Sequence, residues 1–464
     1  MAKAGMKVLI VERNNKVGGY CGSFKRNGFI FDTGVHALEG CGPNGILNKI
    51  IQDLGINSLL KIKRIDPSDV IITSFGNFNI RNDIKITINE WTERFPRCKD
   101  GIQNIFGLIL NKDFVLRYPE LKKITFDKLL KRHVKDKFIT TLLSVLFVNV
   151  GLPINRLSAV NGLIFLNHYL SDGGYYPEGG MQGFVNVFQE KFKSFGGTVL
   201  LNTTVNKIFS ENKCVRGVVI ANNNIFESKY VISNCDATQT YLNLIDNQET
   251  QVKYKKRLGN MVTSASVFMV SLGLKKDIYD RNFDCGALWY LRNEDENAGL
   301  EMLFKNKTNY NSNCIMIAFP SFHDNKLAPV NKSSIYLMCN ANFKNAEYWK
   351  ENEEKVANEL IGIAEKVVPL IKNNIEVKLI ATPQTLYKYT LNKNGAMHGW
   401  ASLVSQIDPT IIPRESDIKN LFFVGHWITH PGQGGIPMVA KSAYNLVNII
   451  LSKSKQNAFM EKCR

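Results

Sequence analysis

Apolar runs of strand length alternate with helical patterns over the first 75 residues of the chain. The run 8–11 ends at the acid Glu12, and the run 29–31 ends at Asp32. Apolar residues at positions 46, 47, 50, 51 and 54 then follow a helical spacing that stops at Gly55, a residue suited to a helix C-terminus. This alternation predicts an α/β fold.

Strand patterns dominate after a glycine-rich loop and a helix predicted over 182–195. The strands are predicted at 198–201, 205–209, 215–221, 228–232, 265–272, 314–319, 334–339 and 420–425. Further helices are predicted at 138–150, 352–368 and 437–451. We therefore expect a discontinuous Rossmann-like nucleotide-binding domain and an inserted mixed α+β substrate domain. The first would comprise residues 1–75, 151–260 and 386–464, and the second residues 76–150 and 261–385.

Glu12 and the pair Gly18–Gly19 have the chemistry of a dinucleotide site. In a Rossmann unit an acid at the end of the second strand accepts hydrogen bonds from ribose hydroxyls, roughly 20 residues after a glycine-rich turn. Counting back from Glu12 places that turn before Met1. We expect the first strand and the Gly-rich loop to be missing from this sequence. It is either a fragment or, as we prefer, begins at an internal methionine of a longer reading frame. By itself, a double glycine is more often an ordinary turn.

The segment from Gly425 to Pro437 follows a predicted strand and opens a helix. Free backbone N–H groups at such a helix start favour a negatively charged ligand group. A glycine turn needed only for packing is the simpler alternative. His426 and His430 are four residues apart, but Pro431 argues against the helix that would bring both to one metal ion, so no metal is expected.

The segment 40–45 satisfies the pattern G-x-G-x-x-G but follows no clean strand, and we interpret it as a loop. The sequence shows no P-loop, no H-E-x-x-H motif and no Ser-His-Asp order. Such a chain is consistent with flavin chemistry, in which the cofactor carries the reaction and the protein orients the substrate.

Composition narrows the possible partners of the 464-residue chain. Its net charge of +17 is spread along the sequence, without the motifs of a nucleic-acid-binding protein, so we expect no nucleic acid. A solvated lysine-rich surface or contact with an anionic membrane explains the charge. Nine cysteines without a C-x-x-C pair are typical of reduced thiols in a cytoplasmic protein. The apolar run 139–150 is too short to span a bilayer, so any membrane contact would be peripheral.

Several motifs spread along the chain carry a family resemblance. They lie in segments 11–24, 31–34 (FDTG), 176–181 (YPEGGM), 197–208, 231–236 (VISNCD), 389–400 and 423–437. In this order they resemble the flavin-dependent phytoene desaturase, carotenoid isomerase and retinol saturase family, a branch of the amine-oxidase-type flavoproteins. The resemblance implies FAD as the cofactor, with Glu12 at the adenosine ribose and Val205 at the adenine. It implies further FAD contacts from Arg13, Gly18, Gly19, Ser23, Gly34, Asn234, Gly425, Gly434, Gly435, Ile436 and Pro437.

The same resemblance implies an FAD-dependent oxidoreductase, that is a desaturase, saturase or cis-trans isomerase, acting on a long apolar polyene or isoprenoid such as a carotenoid. The inserted domain would supply an apolar tunnel that orients this substrate. The sequence assigns neither a catalytic residue nor an oligomeric state. Two alternatives stay open. One is an amine-oxidase-like enzyme of a polar substrate, which would need an aromatic cage or a carboxylate in the tunnel. The other is a non-catalytic remnant.

Overall fold

The computed structural model describes residues 1–111, 115–278, 284–293, 295–429 and 434–462, with side chains described through residue 454 except at residue 296. The strands of this part of the chain are β1 (Leu9–Val11), β2 (Ser23–Arg26), β3 (Phe29–Asp32), β4 (Ile62–Ile65), β5 (Asp69–Thr73), β6 (Gly76–Ile80), β7 (Gly174–Pro177), β8 (Thr198–Leu200), β9 (Val205–Glu211), β10 (Cys214–Ile220), β11 (Ile225–Glu227), β12 (Val231–Ser233), β13 (Ser266–Leu274), β14 (Ala287–Leu291), β15 (Cys314–Ala318), β16 (Ser333–Ala341), β17 (Ile375–Ala381) and β18 (Leu421–Phe423). The α-helices are α1 (Ile46–Leu54), α2 (Ile84–Arg94), α3 (Lys99–Leu110), α4 (Tyr118–Leu121), α5 (Phe126–Leu130), α6 (Lys137–Val145), α7 (Ala159–Leu170), α8 (Gly180–Ser194), α9 (Ala237–Gln239), α10 (Gln248–Gly259), α11 (Glu296–Phe304), α12 (Pro320–His323), α13 (Ala346–Ala364), α14 (Ile371–Asn374), α15 (Pro383–Thr390) and α16 (Ile436–Lys462).

The largest sheet has seven strands in the order β17-β13-β16-β15-β14-β5-β6. Strands β13 and β16 pair antiparallel over nine residues, and every residue of both strands is buried. One face carries Phe268 and Leu337 and is covered by α13, whose Trp349 packs on Phe268. Because both faces are covered, these strands form continuous apolar runs rather than alternating ones.

Helices α3, α5, α6 and α7 form a layer on the opposite face of this sheet. Helix α3 buries Ile102, Ile105 and Ile109, which recur at helical spacing and so form one apolar face. Helix α6 is capped by Asp136, the residue before it, whose carboxylate accepts hydrogen bonds from the backbone N–H groups of Phe138 (2.8 Å) and residue 139 (3.1 Å). This layer and the sheet together enclose one side of the cavity described below.

The nucleotide-binding half contains two separate parallel strand pairs, β1 with β8 and β12 with β18. The residues on either side of β1, Val8 and Glu12, also hydrogen-bond to β8 through their backbones (Thr198 N to Val8 O 3.0 Å, Glu12 N to Leu200 O 2.8 Å). Successive residues of a strand direct their backbone N–H and C=O groups to opposite edges. The groups of Leu9 and Val11 therefore point away from β8, to an edge of β1 where no strand of the described residues pairs with them.

Strand β12 has a free edge as well. Its Val231 N–H and Ser233 C=O hydrogen-bond towards β18, so the backbone groups of Ile232 point away from that strand. Residues of β1 and of β12 line the same cavity. The described part of the chain is thus a mixed α/β fold, as expected, in which two parallel strand pairs have free edges.

The element predictions are largely confirmed: α1 spans the predicted 46–54 and ends at Gly55, which has a φ of +65°. The expected domain boundaries stay a prediction, and strand pairing and helix packing extend across two of them. The boundary after residue 75 falls in the turn between β5 and β6, which pair with each other inside the seven-stranded sheet. The boundary after residue 150 precedes α7, which packs with α3 and α5. Strand pairing and helix packing, which periodicity does not reveal, thus place 69–80 in the seven-stranded sheet and 159–170 in the helical layer against it.

The segment 40–45 is a loop, as predicted. Its Gly40 has a φ of +70°, and a Cβ at this position would lie 3.5 Å from the ring of Pro437, near the start of α16. No helix in the described part of the chain is long and apolar enough to cross a membrane. The described cysteines form no disulfide.

Candidate active site

A single cavity of about 1780 Å³ extends from the nucleotide-binding half into the substrate domain. Its volume exceeds the roughly 300–1,000 Å³ of a pocket for one small ligand, so it has room for a dinucleotide and a second molecule. Twelve of the thirteen cofactor residues expected from the sequence line it, namely Glu12, Arg13, Gly18, Gly19, Gly34, Val205, Asn234, Gly425, Gly434, Gly435, Ile436 and Pro437. Residues close to both termini therefore meet in one place.

Ser23 is the exception, because it is buried and does not line the cavity. Its hydroxyl donates to Asp32 Oδ1 (2.6 Å) and accepts from the backbone N–H of Gln182 (3.0 Å). Asp32 also accepts from the Tyr176 hydroxyl and from Met181 N (3.2 Å). Burial raises the pKa of Asp32, and these donors oppose the rise. In this structure Ser23 joins β2, β3, β7 and α8 rather than facing a ligand.

Glu12 is held at the nucleotide end by Asn14. Its Oε1 accepts from the backbone N–H of Asn14 (2.7 Å) and from Asn14 Nδ2 (3.0 Å), which also donates to Tyr389 O (3.1 Å). Within the described residues, Oε2 of Glu12 has no protein donor and remains able to accept hydrogen bonds from a ribose. This geometry fits the role expected of the acid.

Glycines at the C-terminal side of the site allow close contacts that a side chain would prevent. At Gly425, with a φ of +89°, a Cβ would lie 2.5 Å from Asn234 Nδ2, an atom that donates to Val424 O (3.3 Å). At Gly434, with a φ of +116°, a Cβ would lie 2.3 Å from Nδ1 of His398. Helix α16 starts directly afterwards and directs its free N–H groups to this region. His430 and Pro431 lie outside the described residues.

These residues fit FAD at both of its ends. The acid Glu12, with a free oxygen, would hold the adenosine ribose, and the glycine turn with the helix start would lie beside the flavin. Gly18 and Gly19, expected near the pyrophosphate, line the cavity between them, and the free edges of β1 and β12 border it.

The part of the cavity in the substrate domain is mostly apolar. Val267, Met269 and Met338 line it from one face of the seven-stranded sheet, and Ile164 and Phe165 line it from α7. Aliphatic, methionine and aromatic side chains of this kind suit an extended apolar ligand.

A polar cluster borders this apolar chamber. Asp69 accepts three hydrogen bonds, from the Tyr169 hydroxyl (2.7 Å) and Trp289 Nε1 (2.8 Å) at Oδ1 and from Ser68 Oγ (2.9 Å) at Oδ2. Glu39 lies close to it and lines the cavity. Burial, followed by the negative charge of Asp69, raises the pKa of Glu39 to about 8. Sequence patterns missed this cluster, because its members come from a loop, a strand, a helix and another strand.

Two partly buried histidines lie beside the glycine turn. Burial lowers the pKa of His398 to about 4 and that of His426 to about 3, so both are neutral at physiological pH. The backbone N–H of His398 is fixed by Ser264 Oγ (2.8 Å). The sequence analysis did not single out His398. The one signal for it was its place in segment 389–400, which contributes to the family resemblance.

Comparisons with known proteins agree with this geometry. A family model described as flavin containing amine oxidoreductase matches residues 1–451. The chain is 25% identical over 85% of its length to the chloroplastic prolycopene isomerase of Daucus carota, covering 68% of that protein. It is 26% identical over 92% of its length to the all-trans-retinol 13,14-reductase of Danio rerio, covering 79% of it. A solved oxidoreductase from Methanosarcina mazei has a similar fold, with a TM-score of 0.68, 18% identity and coverage of 96% and 95% of the two chains.

Proposed function

Because the chain belongs to the flavin containing amine oxidoreductase family and is an FAD-dependent oxidoreductase, we propose that it desaturates, saturates or isomerises a long apolar polyene. The observation that carries this proposal is the continuity of the cavity, which leads from the glycine turn at Gly434 to the chamber formed by the sheet and α7. FAD, when bound, supplies hydride exchange with the substrate. The relatives named for prolycopene and for retinol support a polyene as the substrate class.

The protein's own residues position the substrate and exclude water. Val267, Met269 and Phe165 give the chamber apolar walls on two sides, so an extended chain between them would be fixed in one plane. The neutral His398 beside Gly434 adds no charge at the flavin end. Glu39, whose pKa is about 8, is mostly protonated at neutral pH and is a poor counter-ion for an amine. These features favour a polyene over a charged amine substrate.

The direct test is turnover by the purified, FAD-loaded protein. We expect an anaerobic incubation with a polyene to give a product of altered saturation or geometry by chromatography, either with oxidised FAD and a quinone as the electron acceptor or with FAD kept reduced by dithionite. An amine should leave the spectrum of the oxidised flavin unchanged. Phe165→Trp should lower polyene turnover on the order of tenfold by narrowing the chamber. Phe75→Trp is the matched control, since Phe75 is 55% exposed and does not line the cavity. Flavin reduction by amines, with no product formed from a polyene, would contradict the proposal.

We also propose that the protein contacts a membrane surface, where a polyene substrate dissolves. Val115 and Leu116 are 62% and 86% exposed directly before α4, and the chain carries a charge of +17. Binding to sedimented vesicles should increase with their anionic lipid content and decrease in Leu116→Glu. Ile225→Glu, at a residue that is 61% exposed in β11, is the control and should leave binding unchanged. Equal sedimentation with neutral and anionic vesicles would contradict the proposal.

A further inference from the structure

The segment 391–399 borders the cavity and contains neither a strand nor an α-helix. It follows α15, and its residues Leu391, Asn394 and Gly395 have φ values of +56°, +57° and +58°, in the left-handed region. The repeating backbone hydrogen bonds of a helix or a strand therefore do not fix its position. The side chains that hold this segment decide where this part of the cavity wall lies.

Asn392 is 6% exposed and holds the segment with its whole amide group. Its Nδ2 donates to the Tyr20 hydroxyl (3.2 Å) and to Ala396 O (3.3 Å), and its Oδ1 accepts from Trp427 Nε1 (3.1 Å). The Tyr20 hydroxyl in turn donates to Ala396 O (3.2 Å). These partners fix the orientation of the amide, because an indole N–H can only donate and a carbonyl oxygen can only accept.

Tyr20 connects Asn392 to the N-terminal part of the site. It lines the cavity and directly follows the pair Gly18–Gly19. Its backbone carbonyl accepts from Val35 N (3.3 Å), and a Cβ at Gly34 would lie 3.7 Å from the same oxygen. The Tyr20 hydroxyl thus links Asn392 to the backbone expected near the pyrophosphate and near the flavin.

Trp427 connects Asn392 to the C-terminal part of the site. It is buried, and it follows Gly425 and His426, which line the cavity. Its backbone carbonyl accepts from Trp400 Nε1 (3.0 Å), and the two indole rings pack edge-on with 5.0 Å between their centroids. The indole N–H that donates to Asn392 therefore has a fixed position.

We propose that Asn392 is a positioning residue of the FAD site, which holds the Tyr20 side and the Trp427 side of the cavity at the separation that FAD requires. This inference rests on the proposed function only in placing FAD in this cavity. Asn392 acts through Tyr20 and Trp427, because protein acceptors occupy both of its N–H groups. A buried and satisfied network of this kind is rigid, so the site loses less conformational freedom when FAD binds.

Fluorimetric titration of the flavin-free chain with FAD is the first measurement. Asn392→Ala removes all three hydrogen bonds of the amide and should weaken FAD binding about tenfold. Asn342→Ala is the matched control, because Asn342 does not line the cavity although its Nδ2 also has three acceptors, Leu303 O (2.8 Å), Asn306 Oδ1 (3.1 Å) and Thr308 O (3.1 Å). This control should lower the stability of the protein and leave its FAD affinity unchanged.

The nearly isosteric variant Asn392→Asp separates hydrogen bonding from shape. A protonated carboxyl group offers an acceptor for Trp427 and one donor for Tyr20 or Ala396, whereas a carboxylate has no donor. At low pH, we expect its FAD affinity to be within about threefold of that of the wild type. The affinity should decrease to about a tenth of the wild-type value as the carboxyl group ionises, which burial shifts to above about pH 4.

The wild type provides the reference at each pH, because it contains the other titratable groups around this position. These are Tyr20, Lys393, Asp236, which accepts from Lys393 N, and the two histidines next to the network, His398 and His426. The ratio of the two affinities therefore reports the carboxyl group that the variant introduces. A role of Asn392 in shape alone would leave this ratio independent of pH.

A double-mutant cycle tests whether Asn392 joins its two partners. Tyr20→Phe and Trp427→Phe each remove one hydrogen bond of Asn392. Independent changes multiply in their effect on the Kd for FAD, whereas changes that share a partner do not. We expect the double variant to differ at least about threefold from the product of the two single effects. In the background of Asn392→Ala, the two effects should multiply.

Several results would overturn the inference while leaving the proposed function intact. These are an FAD affinity of Asn392→Ala within about twofold of the wild type, an equal loss in Asn342→Ala, a pH-independent ratio for Asn392→Asp, or multiplying effects in the cycle. Should Asn392→Ala not fold, Asn392→Asp and the cycle still decide the question. By contrast, a wild-type protein that folds but does not bind FAD would contradict the proposed function itself.

Discussion

The seven-stranded sheet and the nucleotide-binding half of the molecule are built in opposite ways. The sheet is continuous, and its strands β13 and β16 pair over nine fully buried residues. The nucleotide half instead contains two pairs of three-residue strands, β1–β8 and β12–β18, whose free edges border a cavity. The first region is therefore stabilised by its own burial, while the second leaves part of its surface to a ligand or a further strand. We therefore expect core mutations to reduce stability most in the sheet, and FAD to stabilise mainly the nucleotide-binding half.

The largest expected effect is the loss of core packing in the sheet. Leu337 is fully buried in β16 between Val270 of β13 and Ile317 of β15. Leu337→Ala should lower the free energy of unfolding by about 3 kcal/mol through the cavity it leaves. Ile10 in β1 is 42% exposed, and Ile10→Ala should cost less than about 1 kcal/mol. Urea unfolding of the flavin-free proteins measures both, and a larger loss from Ile10→Ala would reverse the comparison.

The second expected effect is stabilisation by FAD, confined to the nucleotide half. A ligand at 100 times its Kd stabilises the native state by about 2.7 kcal/mol. We expect amide hydrogen exchange in β1 and β12 to slow on the order of 100-fold on FAD addition, because the free edges of these strands border the site. Amides of β13 and β16 should exchange at nearly the same rate with and without FAD. Equal protection of both regions would show that the two halves unfold as one unit.

How much the sequence could predict also differs between the two regions. Continuous apolar runs located β13, β15 and β16 to within a few residues, because burial on both faces leaves a strong pattern. Glu12 and the glycines near Gly434 were identified by motif chemistry, and the structure brings them to one cavity. Ser23 came from the same resemblance but lies in a buried hydrogen-bond network with Asp32.

The polar cluster in the chamber could not be predicted from the sequence. Tyr169 is 100 residues and Trp289 is 220 residues after Asp69 in the sequence. Only the tertiary fold brings the three side chains together. Glu39 lies in a segment without periodicity, so nothing in its sequence neighbourhood distinguishes it from a solvated acid. Its raised pKa depends on burial and on Asp69, which are properties of the folded chain.

The third expected effect concerns the glycine turn, where the structure depends on the absence of a side chain. Gly434→Ala should weaken FAD binding at least about tenfold, or about 1.4 kcal/mol, because its Cβ would overlap His398. Gly196 also has a positive φ, +80°, but no neighbour within 4 Å, so Gly196→Ala tests backbone strain without the collision. The double variant Gly434→Ala with His398→Ala should recover part of the affinity. Fluorimetric titration with FAD measures all of them, and unchanged affinity in Gly434→Ala would contradict the close contact.

The smallest expected effect is an ion pair that stabilises the substrate domain without FAD. Arg156, just before α7, donates to both carboxylate oxygens of Glu301 on α11 (2.8 and 2.7 Å), and this lowers the pKa of Glu301 from 4.5 to about 2. Because the folded-state value is the lower one, the stabilisation is present above pH 4.5 and is lost as the pH falls towards 2. The Arg156 side chain is 34% exposed, so solvent screening reduces the contribution to about 1 kcal/mol. Glu301→Gln should therefore be less stable than the wild type by this amount at pH 7 and nearly equal to it at pH 2.5 in urea unfolding.

The exposed pair of Lys193 and Glu190 is the control, and Glu190→Gln should have no effect at either pH. A deficit in Glu301→Gln that does not change with pH would mean that packing, rather than charge, connects α11 to the segment before α7.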